Sequence, residues 1–382
     1  MSKNLRIFVY AIATLSGSII GVGLFALPFI TLKVGIWVML GYFFILGPLV
    51  IIIHLLFSEV ALETPDFLRL PSYAKIYLGK WGEKLALISS ISGFLGVILA
   101  YLIIGGRFLT YLLSPIFGGG DILYSILYFI VGALLIYIGI KAIAKIEFFA
   151  VVLFSLVLIA IFYHGFPIIR IENLFIPIKW QVGLLFLPFG PILFSLWGVE
   201  LIPEIEEILG REKSALRKLI PVAIFIPIII YVFFILLVLG ISGGLTSEDA
   251  ITGLKNFLPQ NILILAFIFV LLTTFSSFLT LGLTLRNIFW YDLKLPKNIA
   301  WLIVFLVPLF LFFIGLRNFT EVISLVGAVM LSTNGILIIR MYQVCKKVPR
   351  FSLLYFLTSF LILIFILGIL YGTLFFLNGK LI

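Results

Sequence analysis

The feature that most restricts this chain is a series of long apolar stretches separated by short polar connections. At about 1.5 Å per residue, about 20 apolar residues cross the hydrocarbon core of a bilayer as a helix. Inside lipid every backbone N–H and C=O needs a partner within the protein, so only helices and closed barrels span it. With 63% hydrophobic and 11% charged residues, the 382-residue chain leaves no room for a sizeable soluble domain. The pattern predicts an all-α, polytopic membrane protein.

Hydropathy divides the chain into eleven predicted transmembrane helices that form one domain over residues 1–382. We expect these spans at roughly 7–31, 36–62, 84–114, 122–141, 145–165, 181–209, 216–241, 260–290, 298–316, 320–342 and 352–378. Two connections are expected to be helical as well. Residues 69–83 read as a short amphipathic helix ended by glycine, and residues 246–258 as a short outer helix that begins at Thr246 and acts as a lid.

The distribution of basic residues predicts the orientation. Of the 26 Lys and Arg residues, 19 fall on the same side as the N-terminus and 7 on the other side. Cytoplasmic loops carry the excess of Lys and Arg, so the N-terminus is predicted to be cytoplasmic and, after eleven spans, the C-terminus outside. The chain would then lie in the cell (inner or plasma) membrane. The net charge of +10 reflects these loops rather than nucleic acid as a partner, and the single Cys345 excludes an intramolecular disulfide.

Residues 17–29, Gly-Ser-Ile-Ile-Gly-Val-Gly-Leu-Phe-Ala-Leu-Pro-Phe, interrupt the first span. Gly and Pro weaken the helical ladder at mid-depth, where an unpaired backbone group is most costly. A half-helix that begins near Val22 offers N–H groups and a positive dipole end to a carboxylate. A half-helix that ends near Ile19 offers carbonyls to an ammonium group or to Na⁺. A zwitterionic amino acid would match both ends.

The sixth span carries a similar interruption, from Gly190 through Gly198 and Glu200 to Glu207. Five spans lie from one interruption to the next, and an odd number inverts the second half relative to the first. Two interrupted segments at matching positions of inverted halves indicate a midplane substrate site, as in secondary transporters.

Four stretches give the chain a family resemblance: Gly17–Pro28, Tyr101–Gly106, Gly190–Glu207 and Ser276–Pro296. They resemble the amino acid–polyamine–organocation (APC) superfamily, and within it the amino acid/auxin permeases and bacterial tryptophan/tyrosine permeases. The resemblance implies a LeuT-like fold with an inverted 5+5 repeat and broken helices 1 and 6. The repeats would cover about 5–165 and 181–342, with an extra helix at about 352–378.

The resemblance also implies roles for individual residues. Backbone N–H groups of Gly21, Val22 and Gly23 would bind the substrate carboxylate. Carbonyls of Ile19, Phe194 and Trp197 would bind its amino group. Ser18, Tyr101 and Ser195 complete the expected binding set and would shape the pocket. The carboxylate of Glu200 would serve coupling or proton sensing.

The eighth span matches the segment that completes a sodium site in sodium-coupled relatives. The implied ligands are neutral oxygens: the carbonyls of Gly17, Ile20 and Thr273 and the hydroxyls of Ser276 and Ser277. Proton-coupled relatives often place a lysine there from the fifth span. Here that span offers only Lys141 and Lys145 near its start, which favours Na⁺ as the coupling ion and only cofactor.

Structural readings compete with several of these roles. Gly105 and Gly106 are expected to be packing contacts, and Ser276 and Ser277 are as readily explained by hydrogen bonds to their own helix. Glu200 is favoured as functional over a structural hydrogen bond. A satisfied, packed histidine is preferred at His54 over a proton relay. Other charged residues, such as Arg6 and Asp292, are expected to be interfacial rather than a gate.

The favoured function is secondary active transport of a neutral, hydrophobic or aromatic amino acid by cation-coupled symport with alternating access. Proton-coupled or uncoupled amino acid exchange is the alternative within transport. An amino acid sensor would share the binding chemistry, and a membrane-embedded enzyme is disfavoured because the spans hold neither an Asp pair nor a His cluster. We therefore expect no enzyme, with a small-molecule substrate and the bilayer as partners and the oligomeric state left open.

Overall fold

The computed structural model describes residues 3–65, 67–139, 156–177 and 182–378, and its regular elements are helices. The first part of the chain holds α1 (Lys3–Ile19), α2 (Leu27–Val34), α3 (Ile36–Leu62), α4 (Leu70–Phe117), α5 (Asp121–Ile138) and α6 (Leu156–Ile168). The second part holds α7 (Val182–Leu185), α8 (Phe189–Leu196), α9 (Ile202–Leu209), α10 (Leu216–Ser242), α11 (Gln260–Asn287), α12 (Lys297–Phe313), α13 (Phe319–Leu325), α14 (Ser332–Cys345) and α15 (Leu353–Asn378).

Shorter segments interrupt or extend these helices. The 3₁₀ segments that matter here are Val22–Ala26, Val199–Leu201 and Thr252–Asn256, and the π segments are Ile288–Asp292 and Val326–Leu331. Within the described ranges, eight helical stretches are long and apolar enough to cross a membrane. Residues Asn4–Ile19 and Val22–Val34 form a further, bent one.

The all-α membrane fold is confirmed, whereas the count of eleven spans stays a prediction. The shorter apolar helices α6 and α12 lie where the fifth and ninth spans are expected. The predicted Lys141 and Lys145 of the fifth span lie outside the described residues.

Both predicted helix breaks are present. Helix α1 ends at Ile19, and the chain turns by 49° into the 3₁₀ segment Val22–Ala26, which leads into α2. Helix α8 ends at Leu196, where Trp197 is extended, and the chain resumes at Val199–Leu201 before α9. Each interruption follows the cluster of Gly and Pro that the sequence places there, because these residues weaken the helical ladder.

The two breaks pack directly against each other through glycines. A Cβ on Gly23 would lie 2.8 Å from Cδ1 of Phe194, in the last turn of α8 before the second break. A Cβ on Gly198 would lie 2.7 Å from Cγ1 of Ile19 in the first break. Both distances are shorter than real Cβ contacts, so this interlocked arrangement requires the absence of a side chain at Gly23 and Gly198.

We name the two ends of the bundle by the residues Asp292 and Glu248; the Asp292 side is the one predicted to be cytoplasmic. At the Glu248 side the ring of Phe25 contacts Phe108 and Phe234 edge-on, with centroid distances of 5.6 and 6.1 Å. All three rings are buried. The Phe25 of the first break is therefore sealed from this side by helices α4 and α10.

An ion pair adds to this seal. Arg107 of α4 donates to Glu248 at 2.6 Å, and the other oxygen of Glu248 accepts the N–H of Thr320 at 2.9 Å. Glu248 thus ties the connection after α10 to α4 and to the first turn of α13.

The connection 246–258 differs from its prediction. Its helical part is the 3₁₀ segment Thr252–Asn256, which follows Ile251, and Asp249 in the preceding turn accepts the N–H of Thr252 at 2.8 Å. Thr246 instead donates to the Gly243 carbonyl at 2.7 Å, so its hydroxyl serves the preceding turn. The expectation that Thr246 starts the helix was wrong, because Ser, Thr and Asp all suit this role and only their turn geometry selects one.

The Asp292 side carries ion pairs of its own. Asp292 pairs with Arg69 at 2.6 Å rather than with Arg6. The ammonium of Lys346 contacts Glu63 at 2.5 Å and Glu59 at 3.1 Å, which joins the ends of α3 and α14. The hydrogen bond to Glu63 and the nearby Glu59 carboxylate raise the pKa of Lys346.

The predicted short helix after residue 69 is present as the first turns of α4. Gly79, at φ +72°, separates it from the remainder of α4. This left-handed conformation suits glycine, as the prediction of a helix ended by glycine requires.

Several other glycines allow helices to approach closely. Gly105 and Gly106 lie against Tyr128 and Ser125 of α5, which confirms them as packing contacts. In the π segment Val326–Leu331, a Cβ on Gly327 would overlap the backbone carbonyl of Gly190 in α8. The backbone of α8 thus touches the backbone of this π segment.

We expect Gly327→Ala to lower the free energy of unfolding by about 1–3 kcal/mol, because an added methyl in a filled site forces the helices apart. Thermal unfolding of the purified protein in detergent measures the change. Gly41→Ala is the matched control, since its Cβ would meet no atom within 4 Å. Equal stability of the two variants would contradict the close packing of α8 on the π segment.

Candidate functional site

A cavity of about 720 Å³, a volume that includes the open space at its mouth, lies between the two breaks and helices α4, α11 and α14. All nine residues predicted to bind substrate, and the predicted coupling carboxylate, line this cavity: Ser18, Ile19, Gly21, Val22, Gly23, Tyr101, Phe194, Ser195, Trp197 and Glu200. The structure thus brings both interrupted segments and Tyr101 to one place.

Eight further residues of the wall were missed by sequence reasoning. They come from α4, α11 and the region of α14, and they are Ser89, Ser90, Gly93, Phe94, Val97, Leu281, Leu331 and Asn334. For α4 a signal existed, because Gly93, Val97 and Tyr101 recur every four residues and therefore share one helix face. For Leu331 and Asn334 the sequence offers no comparable motif.

The wall opposite the breaks is mainly apolar. Phe94, Val97, Leu281 and Leu331 supply hydrophobic side chains. Among the described wall residues, Glu200 alone carries a charge. A ligand in this cavity would meet backbone polar groups on one side and, on the other, an apolar surface that also carries Ser89, Ser90 and Asn334.

The first break leaves ends of two helical segments close together. The last regular bond before it runs from Ile20 N–H to Ser16 O at 3.1 Å, and the first after it from Leu24 N–H to Gly21 O at 3.3 Å. The carbonyl end of α1 and the N–H end of Val22–Ala26 thus meet within a few residues. Their partial charges are negative and positive, respectively.

Tyr101 contributes its hydroxyl to this part of the wall. A Cβ on Gly21 would lie 3.6 Å from Oη of Tyr101, so the hydroxyl borders the first break. Tyr101 itself is buried. This placement agrees with its predicted role of lining the pocket from the third span.

Two buried side chains that the sequence did not assign to the site hold the breaks in place. The hydroxyl of Tyr231, on α10, lies 2.7 Å from Ile19 O and 2.8 Å from Ser195 O. Tyr231 therefore links the end of α1 to the last turn of α8.

His54 of α3 holds the second break. Its Nδ1 lies 2.8 Å from Val50 O, and its Nε2 accepts the N–H of Gly198 at 3.1 Å. Because a carbonyl can only accept, Nδ1 carries the proton and the ring is a neutral imidazole. The prediction of a satisfied, packed histidine is confirmed.

The serine hydroxyls of the predicted site bond to their own helices. Ser18 donates to Thr14 O at 2.9 Å, and Ser195 donates to Pro191 O at 2.7 Å. Each hydroxyl has one hydrogen, so each presents only acceptor lone pairs to the cavity.

Glu200 lies in the wall and is hydrogen-bonded there. The indole N–H of Trp197 donates to its Oε1 at 3.0 Å. The carboxylate is half-buried, and its second oxygen has capacity for further hydrogen bonds. This position is compatible with the predicted coupling role and with a structural hydrogen bond, so the coupling role stays a prediction.

The predicted sodium ligands lie next to the cavity wall rather than in it. Thr273, Ser277 and Leu281 are four residues apart along α11, so they lie on one face of this helix, which we call the α11 stripe. Leu281, on this stripe, is part of the cavity wall. Thr273 donates its hydroxyl to Val270 O at 2.9 Å.

Among the predicted sodium ligands, Ser276 has a buried hydroxyl that lacks a hydrogen-bond partner within the part of the chain that the structure describes. A buried hydroxyl without a partner suits an additional ligand, and hard cations prefer oxygen. Gly17, in the last turn of α1, and Ile20, just after it, are both half-buried. The sodium site remains a prediction.

The two sides of the first break differ in exposure. Ser18, in the cavity wall, is exposed, whereas Phe25 beyond the break is only 3% exposed. The aromatic seal and the Arg107–Glu248 ion pair close the Glu248 side.

Solved structures share this fold. The inward-facing conformation of Mhp1 aligns with a TM-score of 0.67 and 15% identity over 97% of this chain and 89% of that one. Mhp1, a nucleobase-cation-symport-1 family transporter, in a closed conformation with bromovinylhydantoin aligns at 0.64 and 14% identity, covering 96% and 90%. MhsT in complex with L-phenylalanine aligns at 0.57 and 18% identity, covering 97% and 99%. These similarities establish the LeuT-type fold.

The family follows from sequence. The model of the tryptophan/tyrosine permease family matches residues 5–374, which is nearly the whole chain. None of the curated proteins matches it in sequence. A permease family and transporter neighbours identify an integral membrane transporter rather than an enzyme. The chain belongs to the tryptophan/tyrosine permease family.

Proposed function

We propose that this protein is a secondary active transporter of a neutral aromatic or hydrophobic amino acid, coupled to a cation and working by alternating access. The observation that carries the proposal is the cavity itself. It joins the opposed helix ends of the first break to an apolar wall.

The first break provides for the charged groups of an amino acid. The N–H groups at the start of Val22–Ala26 lie at the positive end of a helical segment and would bind the carboxylate. The carbonyls at the end of α1 and α8 would accept from the ammonium group. A zwitterion is thereby held without a charged side chain at either end, which keeps the desolvation penalty of the empty site low.

The apolar wall selects the substrate side chain. Phe94, Val97, Leu281 and Leu331 offer hydrophobic contact, and the polar side chains beside them, Ser89, Ser90 and Asn334, are neutral. Burying a charged side chain there without a partner would cost several kcal/mol. The complex of MhsT with L-phenylalanine shows that a protein of this fold binds such a ligand, and supports an aromatic substrate here.

For the coupling ion we propose Na⁺. The unpartnered Ser276 hydroxyl and the α11 stripe through Thr273 and Ser277 support a site of neutral oxygens beside the first break. Gly17 and Ile20 would complete it with carbonyls. Bound there, Na⁺ would stabilise the end of α1 electrostatically, and so link ion occupancy to the shape of the amino acid site. Mhp1 is itself a member of a cation-symport family.

A thermal-shift screen of the twenty amino acids tests the substrate class. We expect an aromatic or large hydrophobic amino acid to stabilise the protein, by about 2.7 kcal/mol at 100 times its Kd. Gly23→Ala should abolish this stabilisation, because its Cβ would lie 2.8 Å from Phe194 at the carboxylate end. Gly41→Ala, at an open position, should retain it. Stabilisation by charged amino acids alone would contradict an apolar side-chain pocket.

Uptake into proteoliposomes, with choline in place of Na⁺ at constant pH, tests the ion. We expect uptake of the stabilising amino acid to fall at least tenfold. Ser276→Ala should raise the Na⁺ concentration for half-maximal uptake several-fold, because it removes a ligand oxygen. Thr284→Ala, which removes a hydroxyl bonded to its own helix further along α11, is the control. Uptake that survives in choline but is lost in Glu200→Gln would instead assign coupling to protons through Glu200.

Cysteine labelling tests the direction in which the cavity opens. In a Cys345→Ser background, Ser18→Cys should react with a membrane-impermeant thiol reagent from the cytoplasmic side, and bound substrate should slow the reaction. Phe25→Cys should react far more slowly, because Phe25 is buried under the seal at the Glu248 side. Labelling of Ser18→Cys from the outside only would contradict the predicted orientation.

A further inference from the structure

Tyr231 occupies the point where the two breaks meet. Its side chain is fully buried, and its hydroxyl lies 2.7 Å from Ile19 O and 2.8 Å from Ser195 O. Ile19 is the last residue of α1, and Ser195 lies in the last turn of α8. One hydroxyl from α10 therefore contacts a carbonyl from each interrupted helix.

Both carbonyls lack the partner that an unbroken helix would supply. In a continuous α-helix, Ile19 O would accept from the N–H of residue 23 and Ser195 O from that of residue 199. The breaks turn those N–H groups away into 3₁₀ segments. Within a membrane such carbonyls need other donors.

Tyr231 cannot satisfy both carbonyls at once. A phenol has one hydrogen, and the carbonyls of Ile19 and Ser195 can only accept. When the Tyr231 hydroxyl donates to one of the two carbonyls, the other carbonyl keeps a free lone pair close to the hydroxyl. The region around the hydroxyl borders the cavity, because Ile19 and Ser195 are both part of its wall.

The nearby serine hydroxyls do not supply the missing hydrogen. The hydroxyls of Ser18 and Ser195 donate to Thr14 O and Pro191 O. His54 does not donate to a carbonyl of the second break, because its Nε2 accepts the N–H of Gly198. Among the described contacts, the carbonyl that Tyr231 leaves is thus an acceptor available to a ligand.

We propose that Tyr231 is a positioning residue for the amino group of the substrate. Its hydroxyl holds the carbonyls of Ile19 and Ser195 face to face and donates to one, and the substrate ammonium donates to the other. This inference rests on the proposed function, amino acid transport.

The arrangement also changes which atoms bind the ammonium group. The carbonyl of Phe194, expected for this role, accepts the N–H of Trp197, although at 3.5 Å. Ser195 O, held by Tyr231, takes its place beside Ile19 O. Tyr231 reaches substrate through these carbonyls and acts by fixing their directions.

The test separates recognition of the amino group from stability of the fold. L-Phenylalanine and L-3-phenyllactate, which carries a hydroxyl in place of the ammonium group, compete against labelled ligand on the full-length protein. The ratio of their inhibition constants is the readout, because a loss of folded protein changes both constants alike.

We expect Tyr231→Phe to weaken L-phenylalanine at least tenfold and to lower its preference over phenyllactate at least fivefold. Tyr371→Phe is the matched control. It removes a tyrosine hydrogen bond of the same length, 2.7 Å to Gly183 O, away from the cavity, and should leave the preference unchanged.

A preference in Tyr231→Phe within twofold of the unaltered protein would overturn the inference, whatever the loss of affinity. If the phenylalanine variant does not fold, Tyr231→His is judged by the same ratio, which should fall by at least twofold because the shorter imidazole cannot reach both carbonyls. If the unaltered protein binds none of the twenty amino acids, the proposed function fails and this inference with it.

Discussion

The arrangement of this molecule depends on the need to satisfy backbone polar groups inside a membrane. Two apolar helices are interrupted, and each interruption frees N–H and C=O groups that lipid cannot solvate. Side chains from two other helices meet part of this need. Tyr231 of α10 contacts carbonyls of both breaks, and His54 of α3 accepts an N–H of the second. The groups directed into the cavity remain for a ligand, so the same constraint that threatens the fold defines the binding site.

These ties link the broken helices to each other and to α3 and α10. Gly23 and Gly198 let the breaks interlock, and Ser16 of α1 donates to Ala223 O of α10 at 2.9 Å. The other wall of the cavity comes from α4, α11 and α14. In the proposed cycle, the cavity lies at the boundary between two bodies, and alternating access requires rearrangement chiefly along this boundary. Glu248 bridges α4 and α13 to the connection after α10, so it lies where such a boundary closes on one side.

The sequence predicted the parts of the site that are unusual within their own segment. Gly and Pro clusters are out of place in a membrane helix, and all ten residues assigned to substrate and coupling from these clusters and Tyr101 line the cavity. Tyr231 could not be found in this way, since a tyrosine in an apolar helix is ordinary and its partner Ile19 is 212 residues distant. Asn334 is equally inconspicuous in sequence, and only the antiparallel packing of α14 on α4 brings it to Ser89, 2.5 Å away. The prediction that Thr246 starts the helix in residues 246–258 failed for a different reason, because neighbouring Thr and Asp residues are equally suited to bond the first N–H groups of a helix.

The electrical balance of the site follows from its use of backbone groups. Helix ends supply partial charges that add no net charge, so they can hold a zwitterion without burying a cation or an anion permanently. The empty cavity then contains little charge beyond Glu200 and can reorient in the membrane without a large penalty. With a neutral amino acid and Na⁺ bound at neutral oxygens, the loaded form gains one positive charge. The membrane potential acts on that charge by about 2.3 kcal/mol per 100 mV. In the proposed mechanism this energy favours inward movement of the loaded form over that of the empty form. The two forms differ in charge because the backbone groups of the breaks add no net charge that would cancel the Na⁺.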